Sequence, residues 1–254
     1  MKPGKLGRTV LDTEPSEDGP AGDAPVLLIT GASTGIGAAT ARRAVEDGWR
    51  VALAARSEER LRELADDLGG SESALAHRCD VTTFEDQEAL VTATIEHFGR
   101  LDAVFANAGF GAARGFLRES VEHWREMVEN NVLGVAFTIR AALPHLRDAG
   151  GGHFVLTGSV AGRRALPGSL YSATKHAVTA MAESLRQEIR SDLPEAGIRV
   201  TLISPGMVDT PFFDHRPKDA LEDADVARAV MYALSQPERV DVNEVLLRPV
   251  RQAS

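Results

Sequence analysis

Short apolar, β-branched runs alternate with longer stretches of helical periodicity along almost the whole chain, and this alternation limits the possible folds more than any other feature. The runs lie at Val26–Thr30, Arg50–Ala55, Ala74–Cys79, Leu101–Ala106, His153–Thr157, Ile198–Ile203 and Val242–Leu247, with helical patterns such as Ala38–Asp47 and Glu58–Leu68 between them. Strands separated by helices cannot be joined by tight hairpins, so they pair in parallel through right-handed crossovers. The runs show little apolar/polar alternation, as expected of strands covered by helices on both faces. The spacing predicts an α/β fold: a doubly wound, parallel, seven-stranded sheet flanked by helices on both faces, in a single domain. A length of 254 residues with 43% hydrophobic content suits one such domain. Residues 1–24 carry several Gly and Pro, scattered acids and no apolar period, so they read as a disordered N-terminal tail, with the folded domain over 25–254.

A formal charge of −9 argues against nucleic acid as a partner, because phosphate binding usually needs a basic face. The one cysteine, Cys79, cannot form an internal disulfide and reads as the end of a buried strand. No metal site is expected. No apolar run approaches the roughly 20 residues of a membrane span, and the N-terminus lacks the apolar core of a signal peptide, so a cytoplasmic protein without membrane partners is expected.

The chemistry starts in the first turn. Thr30-Gly31-Ala32-Ser33-Thr34-Gly35-Ile36-Gly37 joins the first strand to an Ala-rich helix, in a G-x-x-x-G-x-G spacing. Glycines there let the backbone approach a diphosphate, whose charge the helix N-terminal amides stabilise. The same residues satisfy G-x-S-x-G, the nucleophile elbow of a hydrolase. That elbow follows several earlier strands, whereas only one precedes Ser33, and none of His153, His176 and His215 sits in a recognisable acid-then-histidine context. Dinucleotide binding is the better reading. At the end of the second strand, where an acid would accept from a ribose, the chain has Ala55-Arg56-Ser57. A guanidinium suits a 2′-phosphate, which favours NADP(H) over NAD(H), although Arg56 could also simply start a solvated helix. Asp80 ends the third strand and could bind adenine or cap the helix Phe84–Phe98. Asn107-Ala108-Gly109 puts a small, turn-forming group at the carboxyl edge of the sheet. Asn130 and Asn131 fall inside a helical stretch over Val121–Leu146, where two weak helix formers together suggest a kink or a hydrogen-bonding task.

Tyr171 and Lys175 stand four residues apart at the start of another helix, so both project from one face. An ammonium beside a phenol favours the phenolate and would bring the tyrosine toward a working range for acid/base chemistry. Found alone, the pair is better read as an ordinary amphipathic helix; its company changes that reading.

Taken together, these motifs resemble those of the short-chain dehydrogenase/reductase family over about residues 25 to 248. The likeness rests on Thr30 to Gly37, Asp80-Val81, Asn107-Ala108-Gly109, Asn131, Ser159, Tyr171 with Lys175, and Pro205-Gly206. The resemblance implies a Rossmann-type sheet, hydride transfer between a nicotinamide and the carbonyl or alcohol carbon of a small molecule, and a homodimer or homotetramer built on the two long helices, here Val121–Leu146 and Tyr171–Arg190. It implies that Ser159 holds the substrate oxygen, Tyr171 donates or accepts the proton, Lys175 lowers the tyrosine's pKa and binds the nicotinamide ribose, and Asn131 bends its helix and holds a water linked to Lys175. Around the cofactor it implies Gly31, Ser33, Thr34, Gly35, Ile36, Gly37, Arg56, Ser57, Asp80, Val81, Asn107, Ala108 and Gly109, with Pro205, Gly206, Val208 and Thr210 nearest the nicotinamide. Two departures stand out. Thr34 occupies a place where many NADP-preferring members resemble one another in carrying a basic residue, and the chain end, Asn243 to Arg251, lacks the Gly-Gly that often follows the last strand. That end is more similar to the branch with NADP-dependent hydroxy-acid and serine dehydrogenases. Pro211–Asp223 should cover the substrate, with Phe212 and Phe213 as an apolar wall. An NADP(H)-dependent carbonyl reductase is the leading expectation, a hydroxy-acid dehydrogenase the alternative, and a non-catalytic NADP(H)-binding sensor or assembly protein the reading of another class.

Overall fold

The structure, a computed structural model, describes residues 24–212 and 217–252. The expected tail over 1–24 lies outside the described residues apart from Ala24, as do Phe213, His215 and Arg216 of the substrate-covering segment. In chain order the elements are β1 (Val26–Thr30), α1 (Gly35–Glu46), β2 (Arg50–Ala55), α2 (Glu58–Asp67), β3 (Ala74–Arg78), α3 (Phe84–Phe98), β4 (Ala103–Ala106), α4 (Val121–Val128), a π turn (Glu129–Leu133), α5 (Gly134–Asp148), β5 (Gly152–Thr157), α6 (Leu170–Asp192), β6 (Ile198–Pro205), β7 (Val208–Asp209), β8 (Leu221–Glu222), α7 (Asp223–Leu234) and β9 (Glu244–Leu247).

Seven strands form one parallel sheet in the order β3-β2-β1-β4-β5-β6-β9. Every side chain of β1 is buried, because successive residues point to opposite helical layers. Val26 and Leu28 face the layer of α3, α5 and α6, where Leu90, Ile139 and Val178 pack. Leu27 and Ile29 face α1, α2 and α7, against Ala41, Leu61 and Val230. Each fully buried side chain of this size contributes roughly 1.5–3 kcal/mol by leaving water, so the double-sided core explains why continuous apolar runs, rather than alternating ones, form this sheet.

The chain runs outward from β1 to β3, then returns to the other side of β1 at β4. The helices therefore diverge between β1 and β4, leaving a crevice above the strands' carboxyl ends where such sheets bind ligands.

Several element boundaries differ from the sequence reading. β3 stops at Arg78 rather than Cys79, β4 begins at Ala103 rather than Leu101, and β9 begins at Glu244 rather than Val242. At β4 the cause is visible: Val26 donates its N–H to the Asp102 carboxylate at 2.8 Å, so a side chain takes the first rung. The stretch expected as one helix over Val121–Leu146 is interrupted by the π turn, which contains both asparagines. The short parallel pair of β7 and β8 was not anticipated, since two-residue strands have no period to read.

Candidate active site

The glycine-rich turn explains its own composition. Gly31 and Gly35 have φ of 67° and 53°, in the left-handed region that L side chains avoid. A Cβ on Gly31 would lie 2.9 Å from Ala108 Cα, and one on Gly37 would lie 2.3 Å from the Gly31 carbonyl oxygen. The turn is thus pressed against the end of β4 and coiled on itself. α1 begins at Gly35, and its N-cap residue Thr34 makes no side-chain capping bond, so the N-terminal amides are not taken by their own cap. That is the arrangement a diphosphate would need, with Ser33 and Thr34 on the rim and Ile36 half-buried behind it. Both the donor set and the cradle, which a Cβ would fill, fit a dinucleotide.

Asn107 ties three strands together. Its backbone N–H donates to Thr30 Oγ1 at 3.0 Å, its amide donates to the Thr30 carbonyl at 3.2 Å, and its Oδ1 accepts from Thr157 Oγ1 at 3.1 Å. Ala108 N–H shares the Thr30 hydroxyl at 3.2 Å. The side chain and backbone of Asn107 thereby link the ends of β1, β4 and β5. The opposite side of Thr157 holds the lysine, since Lys175 Nζ donates to the Thr157 carbonyl at 2.7 Å.

Four elements supply the polar centre. Asn131, fully buried in the π turn, accepts from Phe110 N–H at 3.0 Å, donates to the Phe110 carbonyl at 2.8 Å and reaches Thr174 Oγ1 at 3.3 Å. It fixes the loop after β4 against α6, which gives one of the two mid-helix asparagines its hydrogen-bonding task. Ser159 follows β5 and accepts from Ala161 N–H at 3.1 Å. A Cβ on Gly162 would lie 2.6 Å from the Lys175 carbonyl oxygen, so the turn carrying Ser159 rests directly on the backbone of α6. Tyr171 and Lys175 sit in the first turns of α6, whose N-cap Ser169 accepts from Ser172 N–H. Lys175 Nζ lies 5.7 Å from the centre of the Tyr171 ring. Gly109 borders the same space; a Cβ there would be 3.2 Å from Asn131 Oδ1 and 3.7 Å from Lys175 Nζ.

Burial dominates the protonation of this centre. It pushes the Tyr171 phenol up to about 12, partly opposed by a hydrogen bond from Ser159. It pushes the Lys175 ammonium down to about 8. Desolvation is the largest influence on the phenol here, and the Lys175 ammonium beside it is held on the Thr157 carbonyl. At neutral pH the pair is a neutral phenol beside a lysine that is largely protonated yet within reach of losing its proton.

A sequence model of the family described as short chain dehydrogenase matches residues 25–221. The chain belongs to this family. It is similar to an uncharacterized oxidoreductase of Staphylococcus epidermidis, 38% identical over 229 residues, covering 89% of this chain and 97% of that protein. Among solved structures it is similar to an alcohol dehydrogenase from the archaeon Thermococcus sibiricus complexed with 5-hydroxy-NADP, with a TM-score of 0.80 and 34% identity over 91% of this chain and 99% of the other. It is similar also to the serine dehydrogenase of Escherichia coli, with a TM-score of 0.81 and 30% identity over 90% and 100%. This short-chain dehydrogenase is therefore an oxidoreductase with a Rossmann-type sheet.

At the carboxyl end of β2, Arg56 is exposed and Ser57 is the N-cap residue of α2. Asp80 does not cap α3, whose N-cap is Thr83; its carboxylate accepts from Thr82 N–H at 3.0 Å and Thr82 Oγ1 at 2.7 Å. Burial acts to raise the Asp80 carboxyl, but the Thr82 hydrogen bonds and the charges of Arg56 and Arg78 hold it below its usual range. Two guanidinium groups therefore act on the Asp80 carboxylate. Val81 is buried, and a Cβ on Gly134 would lie 2.9 Å from one of its methyl groups. On the other side, Pro205 ends β6, Val208 is buried in β7, and Thr210 reaches back so that a Cβ on Gly35 would lie 3.1 Å from its methyl group. Phe212 stands edge-on to the Tyr171 ring with centroids 5.5 Å apart, and its ring lies where a Cβ on Gly111 would be. Thr30, Thr157, Gly162, Thr174 and Gly111 hold the site together without having been singled out as site residues; each acts through a partner distant in sequence, which no local pattern reports.

Proposed function

We propose that this dehydrogenase is an NADP(H)-dependent carbonyl reductase acting on a small molecule, with Tyr171, Ser159, Lys175 and Asn131 as its chemical centre. The observation that carries this reading is the convergence of Ser159 and Lys175 on Tyr171 from separate elements at the carboxyl end of β5. The nicotinamide, when bound, supplies or takes the hydride at its C4. Gly31, Ser33, Thr34, Gly35, Ile36 and Gly37 would hold the diphosphate, and Asp80, Val81, Asn107, Ala108 and Gly109 would line the adenosine and central part through side chain or backbone. Pro205, Gly206, Val208 and Thr210 would hold the nicotinamide end. Ser159 Oγ binds the substrate oxygen, and the Tyr171 phenol gives that oxygen its proton during reduction or removes it during oxidation. Lys175 binds the nicotinamide ribose, and its positive charge stabilises the phenolate left behind. Asn131 is a positioning residue that fixes the loop of Phe110 against α6.

Preference for NADP(H) is supported by exposed Arg56 and by Arg78, whose charges both reach the Asp80 carboxylate. The archaeal alcohol dehydrogenase bound to 5-hydroxy-NADP is in keeping with it. A hydroxy-acid dehydrogenase is the second reading, favoured by the likeness to the serine dehydrogenase of Escherichia coli. The exposed alanines of α6, Ala173 and Ala180, support a homodimer or homotetramer built on the long helices. The test is a panel of ketones, aldehydes and 2- or 3-hydroxy acids offered with each cofactor, followed at the nicotinamide absorbance. NADPH oxidation with a neutral carbonyl compound is expected to be the fastest reaction. Turnover confined to hydroxy acids would favour the second reading, and turnover with NADH alone would overturn the cofactor assignment.

A further inference from the structure

The segment after β6 is held by the sheet on one side and by the turn over Pro249–Gln252 on the other. Gly206 N–H donates to the Leu247 carbonyl at 2.8 Å, as a continuation of the β6–β9 ladder. Met207 N–H then donates to Gln252 Oε1 at 2.9 Å, a side chain 45 residues away. Gln252 is itself set by a turn, its N–H bonding the Pro249 carbonyl at 2.9 Å, and Pro249 is buried. A Cβ on Gly206 would lie 2.2 Å from Gln252 Oε1 and 3.0 Å from Pro249 Cδ. The C-terminal turn thus packs closely on Gly206, and a side chain there would have to displace the Gln252 amide and press on Pro249. On its far side, the Met207 carbonyl accepts from Leu221 N–H at 2.9 Å, and the exposed pair Arg251–Asp219, at 3.6 Å, joins the C-terminal turn to the stretch just before Leu221.

We propose that Gln252 is a positioning residue for the nicotinamide end of the cofactor. It orients the Gly206–Met207 peptide, the middle of the segment assigned above to the nicotinamide; the inference rests on that assignment. A main-chain amide left without an acceptor can rotate toward water, carrying the neighbouring peptide groups with it. The Gln252 acceptor prevents this, so the C-terminal turn fixes the one main-chain amide of this segment, Met207 N–H, that the sheet does not pair.

The test compares ligands that differ only in the nicotinamide, using the full chain. NADP+ and 2′-phospho-ADP-ribose form one pair, NAD+ and ADP-ribose the other, with dissociation constants from calorimetry. Gln252→Leu removes the acceptor, Gln252→Asn withdraws it by one methylene, and Gln252→Glu keeps an oxygen in place. Gln252→Leu and Gln252→Asn are expected to weaken the nicotinamide-bearing ligand roughly fivefold, the scale of one hydrogen bond, while the truncated ligand stays within about twofold. Gln252→Glu is expected to restore most of the loss. Equal weakening of both ligands, or no weakening in either acceptor-removing variant, overturns the inference alone. If the unsubstituted protein binds neither dinucleotide, the proposed function and the inference fall together.

Discussion

At the amino ends of β4 and β5 lies a cleft of about 600 Å³ bordered by Trp49, Asp102, His153 and Arg199; at the carboxyl ends lies the crevice of Tyr171 and Lys175. Both ends bury titratable groups, and in both burial favours the neutral form: His153 falls to about 3, through desolvation and then the nearby Arg199 charge, as Lys175 falls to about 8. They differ in what the polar groups face. At the amino end the groups close the fold. Thr201 gives its hydroxyl proton to the Val242 carbonyl at 2.6 Å, so it must accept from His153 Nε2 at 2.7 Å, and Arg199 donates to the Gln236 carbonyl at 2.9 Å. Asp102 accepts from Val26 N–H and from Arg100. At the carboxyl end the side chains converge on common space, with Gly109 leaving room beside Asn131 and Lys175. The cleft at the amino ends holds groups already engaged with the fold, whereas the convergence of unlike groups from separate elements at the carboxyl ends is what supports the proposed site.

The comparison breaks first at Tyr171. If the carboxyl end holds the chemistry, Tyr171→Phe lowers kcat by about 10²–10⁴, the range for a lost general acid, with NADPH affinity within a few fold and an unchanged melting temperature. Steady-state kinetics beside fluorescence titration of NADPH checks this. Retention of most activity would remove the phenol from the mechanism.

A smaller effect divides the carboxyl end itself. Arg56→Ala is expected to raise the Kd of NADPH by roughly tenfold, the order of a charge-assisted contact to phosphate, while NADH binding stays within about twofold. Parallel titrations decide it, and an equal loss for both cofactors would make Arg56 an ordinary surface residue.

These predictions rest on features unequally visible in the sequence. The sheet was legible because strands buried on both faces leave continuous apolar runs, and the glycine turn because Gly31 and Gly37 have no room for a Cβ. Tyr171 and Lys175 were legible as one helical face. The tyrosine's protonation was not, because desolvation depends on everything packed around it rather than on the residue four positions away. Asp80 could be read as a cap or a ligand, and only the Thr82 bonds exclude the cap. Gly162, Thr157 and Gln252 carry no local signal at all, since the first two act on α6 from the end of β5 and the third acts on β6 from the end of the chain.

The smallest expected effect tests the amino end. His153 titrates near 3 in the folded protein and near its ordinary value of 6.5 when unfolded. Between these values the unfolded chain binds a proton that the folded chain refuses, so this group makes stability rise with pH, and stability is lost as the pH falls from about 6.5 toward 3. His153→Gln removes that titration. At pH 7.5 the variant should cost about 1–3 kcal/mol for the altered bond to Thr201, a drop of several degrees in melting temperature, with kcat within about twofold. As the pH is lowered toward 4, the gap between wild type and variant should narrow, because only the wild type loses the contribution of a neutral His153. Melting curves at stepped pH measure the gap directly. A constant gap would mean that His153 titrates alike in both states, and a large loss of kcat at pH 7.5 would mean that the two ends of the sheet are not chemically separate.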